Sequence, residues 1–78
     1  GALTPDYSFT VDIVDEVGSI STLSVILASK GISIRNIGIN HNREHGEGAL
    51  RISFYDKDSM EAAWAQLAKY HYELIKNS

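Results

Sequence analysis

The spacing of apolar residues alternates between that of a strand and that of a helix along this 78-residue chain, and this order restricts its fold more than any other feature. In YSFTVDIV (7–14) every second residue is apolar, which predicts a strand with one buried face. Over 19–29 the apolar residues follow helical spacing, which predicts a helix with Ser19 as its N-cap and Gly31 just beyond its end.

A hairpin is predicted in the middle of the chain, where ISIRNIGIN (32–40) and ALRISFY (49–55) flank a polar segment that contains glycine. The isoleucines of the first of these strands change from even-numbered to odd-numbered positions along the strand. A slip of one residue in the alternation predicts a bulge near Arg35–Asn36.

A second helix and a last strand complete the pattern. DKDSMEAAWAQLAKY (56–70) has a helical apolar stripe and a capping-box pattern, with Asp58 as N-cap and Glu61 three residues later. YHYELI (70–75) predicts a short final strand. The order strand, helix, strand, strand, helix, strand predicts an α+β, ferredoxin-like fold: a four-stranded antiparallel sheet with both helices on one face. Because this fold hosts many functions, the chemistry has to be argued from specific residues.

The bulk composition describes one small domain and excludes several classes of protein. We predict a single domain over residues 1–78, with 1–6 as a linker or tag remnant. The absence of cysteine removes disulfides, thiolate zinc sites and cysteine nucleophiles. A net charge of −3 argues against nucleic-acid binding, and no apolar run is long enough to span a membrane. With no signal-peptide pattern, we predict a cytoplasmic domain without nucleic-acid or membrane partners.

No metal site and no catalytic site is predicted. His41 and His45 are four residues apart, but they lie in a glycine-containing turn, and His71 is distant in sequence, so no third ligand converges on them. The carboxylates are scattered, and no nucleophile stands in a motif with a base. Acylphosphatases share this fold class and hold phosphate with an arginine in the loop after the first strand. Asp15 and Glu16 stand in that loop here and would repel phosphate.

RNA-recognition motifs, which also share the fold, stack bases on aromatic side chains of the central strands. Only Tyr55 points outward from the third predicted strand, and the exposed face of the first consists of Ser8, Thr10 and Asp12. RNA binding is therefore a third alternative, which salt-sensitive binding to single strands would reveal.

The loop between the first strand and the first helix, DEVGSI (15–20), has two interpretations. In one it is a plain turn, in which Gly18 provides the turn conformation and Ser19 caps the helix. In the other, the backbone N–H groups near Gly18, Ser19 and Ile20 hold a carboxylate at the start of the helix, and Asp15 meets a cation. A free α-amino acid carries both charges on adjacent atoms, so the loop suits a zwitterion better than a phosphate.

The segment DEVGSISTLSVILASKGISIRNIGI resembles the ACT domain, a small regulatory module that binds amino acids. The matching residues are Asp15, Gly18 and the segment Gly31–Ile34, which opens the second strand. The resemblance continues through NIGINHNREHGEGALRISF and is greatest to the C-terminal ACT domain of prephenate dehydrogenases from Gram-positive bacteria. It covers the chain from Tyr7 to Ile75.

The resemblance implies that two copies pair side by side as a homodimer and bind an effector at their junction. The effector-binding residues that it implies are Asp15, Val17, Gly18, Ser19, Ile20, Ser33 and Asn36. Asp15 would hold the α-ammonium group, the backbone of the residues that follow it would hold the α-carboxylate, and Ser33 and Asn36 would come from the partner copy. Two positions depart from the family pattern: Val17, where many members have proline, and Ser33, where asparagine is common.

For a prephenate dehydrogenase, the resemblance implies L-tyrosine, the end product of its pathway, as the effector. The parent enzyme would oxidise prephenate with NAD, but this chain has no glycine-rich dinucleotide fingerprint and no cofactor of its own. We therefore predict a feedback-sensing regulatory domain and not an enzyme. The alternative is a ligand-free structural dimerisation module of another enzyme of amino-acid metabolism, in which a second copy covers the edge of the second strand.

Overall fold

The computed structural model of the protein describes residues 6–13, 16–42 and 47–76. The elements, in chain order, are β1 (Tyr7–Ile13), α1 (Glu16–Ser29), β2 (Ile34–Asn42), β3 (Glu47–Phe54), α2 (Lys57–Lys69) and β4 (Glu73–Lys76). This order confirms the predicted alternation of strands and helices. The hairpin strands lie at 34–42 and 47–54, so β2 continues two residues further than predicted and β3 begins two residues earlier.

The four strands form one antiparallel sheet in the order β2-β3-β1-β4, which confirms the predicted ferredoxin-like fold. β1 pairs with β3 along its whole length, from Tyr7 opposite Phe54 to Ile13 opposite Gly48. β4 is short and pairs with β1 only at residues 9–12. β2 and β4 are therefore the two edges of the sheet, and α2 contacts β1, β3 and β4 on one face of it.

The core lies between the sheet and the two helices, where the predicted apolar faces meet. Its buried members are Phe9, Val11, Ile13, Leu23, Ile26, Leu27, Leu50, Ile52, Phe54, Ala63 and Leu67. Phe9 is at its centre, with its ring 5.4 Å from that of Phe54 and 5.3 Å, edge to face, from that of Trp64. Burial thus confirms the helical stripes of α1 and α2 and the alternation in β3. In β1 it confirms the apolar face, but Ser8, which was predicted to be exposed, is buried and accepts a hydrogen bond from Arg51.

The predicted bulge is present at Arg35. Ile34 lies opposite Phe54 and Asn36 lies opposite Ser53, so Arg35 has no partner of its own in β3. Because the extra residue resets the alternation, the isoleucines on both sides of it can face the helices.

The helix α1 begins at Glu16 and not at Ser19, so the prediction that Ser19 is its N-cap is wrong. The prediction treated Gly18 as a turn signal. In the structure Gly18 lies within the first turn of the helix, where one glycine costs only about 1 kcal/mol relative to alanine. An acidic residue type at the first helical position is favoured by the positive end of a helix dipole, and the sequence has glutamate at position 16.

Both helices end in the same hydrogen-bonded motif. After α1, Ile32 N–H donates to the Leu27 carbonyl at 3.0 Å, and Gly31 has a φ of 69°, which confirms the predicted role of this glycine. After α2, Tyr72 N–H donates to the Leu67 carbonyl at 3.2 Å, and His71 takes the left-handed position with a φ of 65°.

Residues 70–72 are therefore part of the end of α2, and β4 starts at Glu73 and not at Tyr70 as predicted.

The N-cap of α2 is Asp56, so the predicted capping box of Asp58 and Glu61 is wrong. Asp56 Oδ1 accepts a hydrogen bond of 2.7 Å from the Ser59 backbone N–H. Hydrogen bonds from the backbone and the hydroxyl of Ser59 lower the pKa of Asp56. The sequence offers two aspartates, Asp56 and Asp58, as possible N-caps. Asp56 directly precedes α2 and caps it, so Asp58 lies in the first turn of the helix.

Candidate functional site

The predicted effector loop lies at the end of β1, and the structure places most of its residues in the first turns of α1. Gly18, Ser19 and Ile20 are half-buried there. Val17 is the second residue of the helix, and Asp15 lies outside the residues that the structure describes. The predicted role of Asp15 therefore remains a prediction.

The earlier start of α1 moves the backbone donors towards the start of the loop. In an α-helix each N–H donates to the carbonyl four residues before it, so the Ile20 N–H donates to the Glu16 carbonyl within α1. The first residues have no such partner inside the helix, which makes Glu16, Val17 and Gly18 the donors available to an anion. Only Gly18 belongs both to this set and to the predicted set of Gly18, Ser19 and Ile20.

Glu16 was not among the predicted effector-binding residues, whereas its backbone N–H is part of the first turn of α1. The sequence signal for a helix that starts at position 16 is the glutamate there, since acidic residues are favoured in the first turn of a helix.

Ser33 and Asn36 lie at the other end of the sheet from the loop. Tyr7 at the start of β1 and Ile34 at the start of β2 are both opposite Phe54, so the two strands start at the same end. The loop follows the far end of β1, a strand length of about 20 Å away. Ser33 and Asn36 are both exposed. Within one chain, the structure therefore does not bring the two predicted halves of the site together.

The outward surface of α1 is unusual for a helix on the surface of a small domain. The sequence from 17 to 29 contains no charged residue. Val25 is 67% exposed on this helix, and Ile39 of the edge strand β2 is 44% exposed. The residues of α1 that are exposed are Ser21, Thr22, Val25, Ala28 and Ser29. An uncharged, partly apolar helix face beside an open strand edge is typical of a surface that a second protein covers.

The face of the sheet away from the helices is polar. Its residues from the two central strands are Ser8, Thr10, Asp12, Ala49, Arg51 and Ser53. Arg51 forms an ion pair with Asp6 and donates from Nε to Ser8 Oγ at 3.4 Å. No aromatic residue of β1 or β3 lies on this face in the described part of the chain, whereas an RNA-recognition motif would stack bases there.

Among the described residues, no group of three or more histidine, aspartate or glutamate side chains is arranged to hold a metal ion. His45 lies outside those residues, so its predicted position in a solvated turn is not described. No helix in the described ranges is both long and apolar enough to cross a membrane.

Comparison with known proteins identifies two relatives of the same kind. No family model matches the chain. The chain is 44% identical over 63 residues to the prephenate dehydrogenase of Bacillus subtilis (strain 168), a match that covers 81% of this chain and 17% of that protein. It is 36% identical to the ACT domain of the prephenate dehydrogenase TyrA from Bacillus anthracis, whose crystal structure superimposes with a TM-score of 0.81. That match covers 86% of this chain and 97% of the ACT domain.

More distant structures share the fold alone. Formyltetrahydrofolate deformylases from Pseudomonas syringae pv. tomato and Burkholderia mallei superimpose with TM-scores of 0.56 and 0.60, at 18% and 8% identity. The match covers 26% and 27% of those chains, so it concerns one domain of each.

Proposed function

The chain belongs to the ACT domain family, and from that premise we propose that it senses L-tyrosine for a prephenate dehydrogenase, by binding this effector at the junction of two copies. The matches are to a regulatory domain of the prephenate dehydrogenase kind, so the chain itself is a non-catalytic module. It spans 17% of the length of the curated relative. The NAD-dependent oxidation of prephenate would take place in a catalytic domain outside this chain.

The observation that carries the proposal is the separation of the two halves of the site. The start of α1 and the Ser33–Asn36 segment lie at opposite ends of the sheet in one chain. A second copy related by a two-fold axis, with its β2 antiparallel to this β2, would bring its own Ser33 to the end at which this α1 begins. The partner would thus supply what one chain lacks.

The surface beside β2 supports this side-by-side arrangement. β2 is an edge strand of nine residues, and α1 presents Val25 to solvent without any neighbouring charge in its own sequence. Pairing of two β2 strands would satisfy their open backbone groups, and pairing of two α1 helices would bury the exposed valines.

The charges at the start of α1 support a zwitterionic ligand. Three backbone N–H groups without helical partners favour a carboxylate, and the helix dipole adds to that preference. The Asp15 carboxylate, one residue before α1, is the proposed partner of the α-ammonium group. Feedback regulation then requires that tyrosine bind one arrangement of the dimer better than another, with a coupling of about 1–3 kcal/mol.

Calorimetric titration tests the proposal with L-tyrosine, L-phenylalanine, L-tryptophan and L-serine, on protein whose oligomeric state is measured by sedimentation. We expect saturable heat from L-tyrosine on a dimer. In Asp15→Ala the affinity should fall by roughly 10-fold to 100-fold, because a charge-assisted hydrogen bond contributes about 1.5–3 kcal/mol.

The matched control is Asp12→Ala, which removes an exposed carboxylate from β1, three residues before Asp15 in the sequence and outside the site. It should leave the affinity unchanged. An Asp15→Ala protein that binds tyrosine as tightly as the control would reject the role of Asp15.

A ligand-free dimerisation module is the second candidate, and the open β2 edge favours it as much as the first. It predicts a dimer that gives no heat with any of the four amino acids. A monomer that gives no heat would remove both candidates.

A further inference from the structure

A cavity of about 500 Å³ opens at the end of the sheet opposite the effector loop. It lies between the start of β1, one face of α2 and the end of β4, and we call it the α2 cavity. Its floor is apolar and consists of Phe9, which is buried, and Met60 and Trp64, which are half-buried. A volume of this size lies within the range of small-molecule sites.

The rim of the α2 cavity carries two acids and two bases, all exposed. The acids are Asp6 and Glu61, and the bases are Lys57 and Lys76. Asp6 also forms an ion pair with Arg51, which fixes its carboxylate beside the cavity. Within the described chain, Lys57, Glu61 and Lys76 form no ion pair with one another. With Asp6 paired to Arg51, the rim offers a ligand the ammonium groups of Lys57 and Lys76 and the carboxylate of Glu61.

The position of Lys57 is not explained by the stability of α2. Lys57 is the first residue of that helix, where a cation is disfavoured by the helix dipole. The order lysine then glutamate at positions 57 and 61 is also the less favourable one for a pair four residues apart. Residues that break a local rule concentrate at functional sites.

The charges of the rim select the class of ligand. A simple cation would meet both lysines, and a simple anion would leave the Glu61 carboxylate without a counter-charge. A zwitterion can place its carboxylate near Lys57 and Lys76 and its ammonium group near Glu61. The floor then offers an aromatic surface to an apolar body.

We propose that the α2 cavity binds a free α-amino acid with a large apolar or aromatic side chain. This site is separate from the junction of two copies. Its residues lie at the start of β1, whereas the effector loop follows the end of that strand, about 20 Å away. The inference does not rest on the function proposed for the loop.

Trp64 makes the inference directly testable, because it is the only tryptophan of the chain and forms part of the cavity floor. L-Phenylalanine is the probe, since its own absorption does not overlap the red edge of tryptophan excitation. We expect a saturable change in Trp64 emission on titration. Phenethylamine and 3-phenylpropionate, which each lack one of the two charges, should bind at least about tenfold more weakly.

Lysine variants test whether L-phenylalanine binds in the α2 cavity. Lys57→Glu and Lys76→Glu should each raise the dissociation constant by about tenfold or more. The matched control is Lys69→Glu, in the last turn of α2 and outside the cavity, which should change it less than about twofold. Asp15→Ala should leave the Trp64 response unchanged, even if it abolishes binding at the loop.

Three results would overturn the inference. The first is the absence of a saturable Trp64 response in protein shown to be folded by circular dichroism. The second is a response that Asp15→Ala abolishes and the cavity variants do not. The third is equally tight binding of phenethylamine or 3-phenylpropionate. The first and third results leave the proposal for the loop untouched, and the second would favour amino-acid binding at the loop, so the two proposals fail separately.

Discussion

The β2 edge of the sheet with α1 and the β4 edge with α2 differ in length and in charge. The surface of the first suits contact with another chain, and that of the second suits contact with water. β2 has nine residues, of which only Arg35 carries a full charge, and α1 has none between 17 and 29. β4 has four residues and is charged at both ends, by Glu73 and Lys76. α2 carries lysine, aspartate and glutamate along its length. Short, charged edges resist pairing with other chains, whereas long, uncharged edges invite it.

The direction of the proposed dimerisation therefore depends on the surface of one side of the domain and not on its core. One hydrophobic core lies beneath both sides, and both helices end in the same hydrogen-bonded motif. The distinction lies in the exposed residues alone. Variants at positions of similar burial or exposure on the two sides therefore test whether the sides differ only on their surfaces.

The largest effect is expected from the buried leucines that end the two helices. Leu27 and Leu67 are fully buried, and each carbonyl accepts the N–H that closes its helix. Leu27→Ala and Leu67→Ala should each lower the free energy of unfolding by about 2–5 kcal/mol, through lost burial and the cavity left behind. Urea unfolding at equal protein concentration measures both. A loss below about 1 kcal/mol at either position would contradict the shared core.

The next effect concerns the edges. Ile39 on β2 and Ile75 on β4 are similarly exposed, at 44% and 48%. Ile39→Lys should raise the dissociation constant of the dimer by about 100-fold, because it removes apolar contact and places an unpaired charge in the interface. Ile75→Lys should change it less than about threefold. Sedimentation equilibrium measures both constants, and the reverse outcome would place the interface at β4.

A smaller effect is expected where the helices end. Gly31 and His71 occupy equivalent positions with φ of 69° and 65°, a region that costs most residues about 1–2 kcal/mol. No atom lies within 4 Å of a Cβ added to Gly31, so Gly31→Ala should cost about 1 kcal/mol from backbone strain alone. His71→Gly should stabilise the protein by about 0.5–1 kcal/mol. Thermal unfolding measures the two changes, and opposite signs are the diagnostic result.

The smallest effect concerns pH at the start of α2. The ordinary pKa of Asp56 is 3.8, and the hydrogen bonds from Ser59 lower the pKa in the folded protein. The stabilisation is therefore present above pH 3.8 and is lost as the pH falls through the lower folded value. Asp56→Asn keeps an N-cap but does not titrate, so its thermal midpoint should fall less than that of the wild type on acidification. Equal slopes would exclude a contribution from this cap.

Periodicity was sufficient to predict the order of the elements and the apolar faces of β1, β3 and the two helices, because burial imposes a period of two on strands and 3.6 on helices. The bulge at Arg35 was predictable for the same reason. The starts of the helices were not, because they depend on which of several local residues caps the helix. Asp56 and Asp58 are both suitable caps, and the structure selects Asp56. Glycine at position 18 is tolerated inside α1 although the sequence suggested a turn.

The candidate sites also differ in how far the sequence alone predicts them. The loop after β1 was identifiable because its residues are consecutive in sequence. The relation between the loop and Ser33–Asn36 required the strand register, which shows that they lie at opposite ends of one chain. The α2 cavity escaped prediction because its residues come from three separate segments, which only the packing of β1, α2 and β4 brings together.

The bulge in β2 has a consequence for changes in chain length. Ile34 and Asn36 face consecutive residues of β3, so Arg35 is one residue more than the pairing requires. Deleting a residue elsewhere in β2 would turn part of the strand over, and its isoleucines would leave the core. Deleting Arg35 would leave Ile34 opposite Phe54 and Asn36 opposite Ser53. The bulge is therefore a place in this strand where the loss of one residue leaves the pairing of the other residues unaltered.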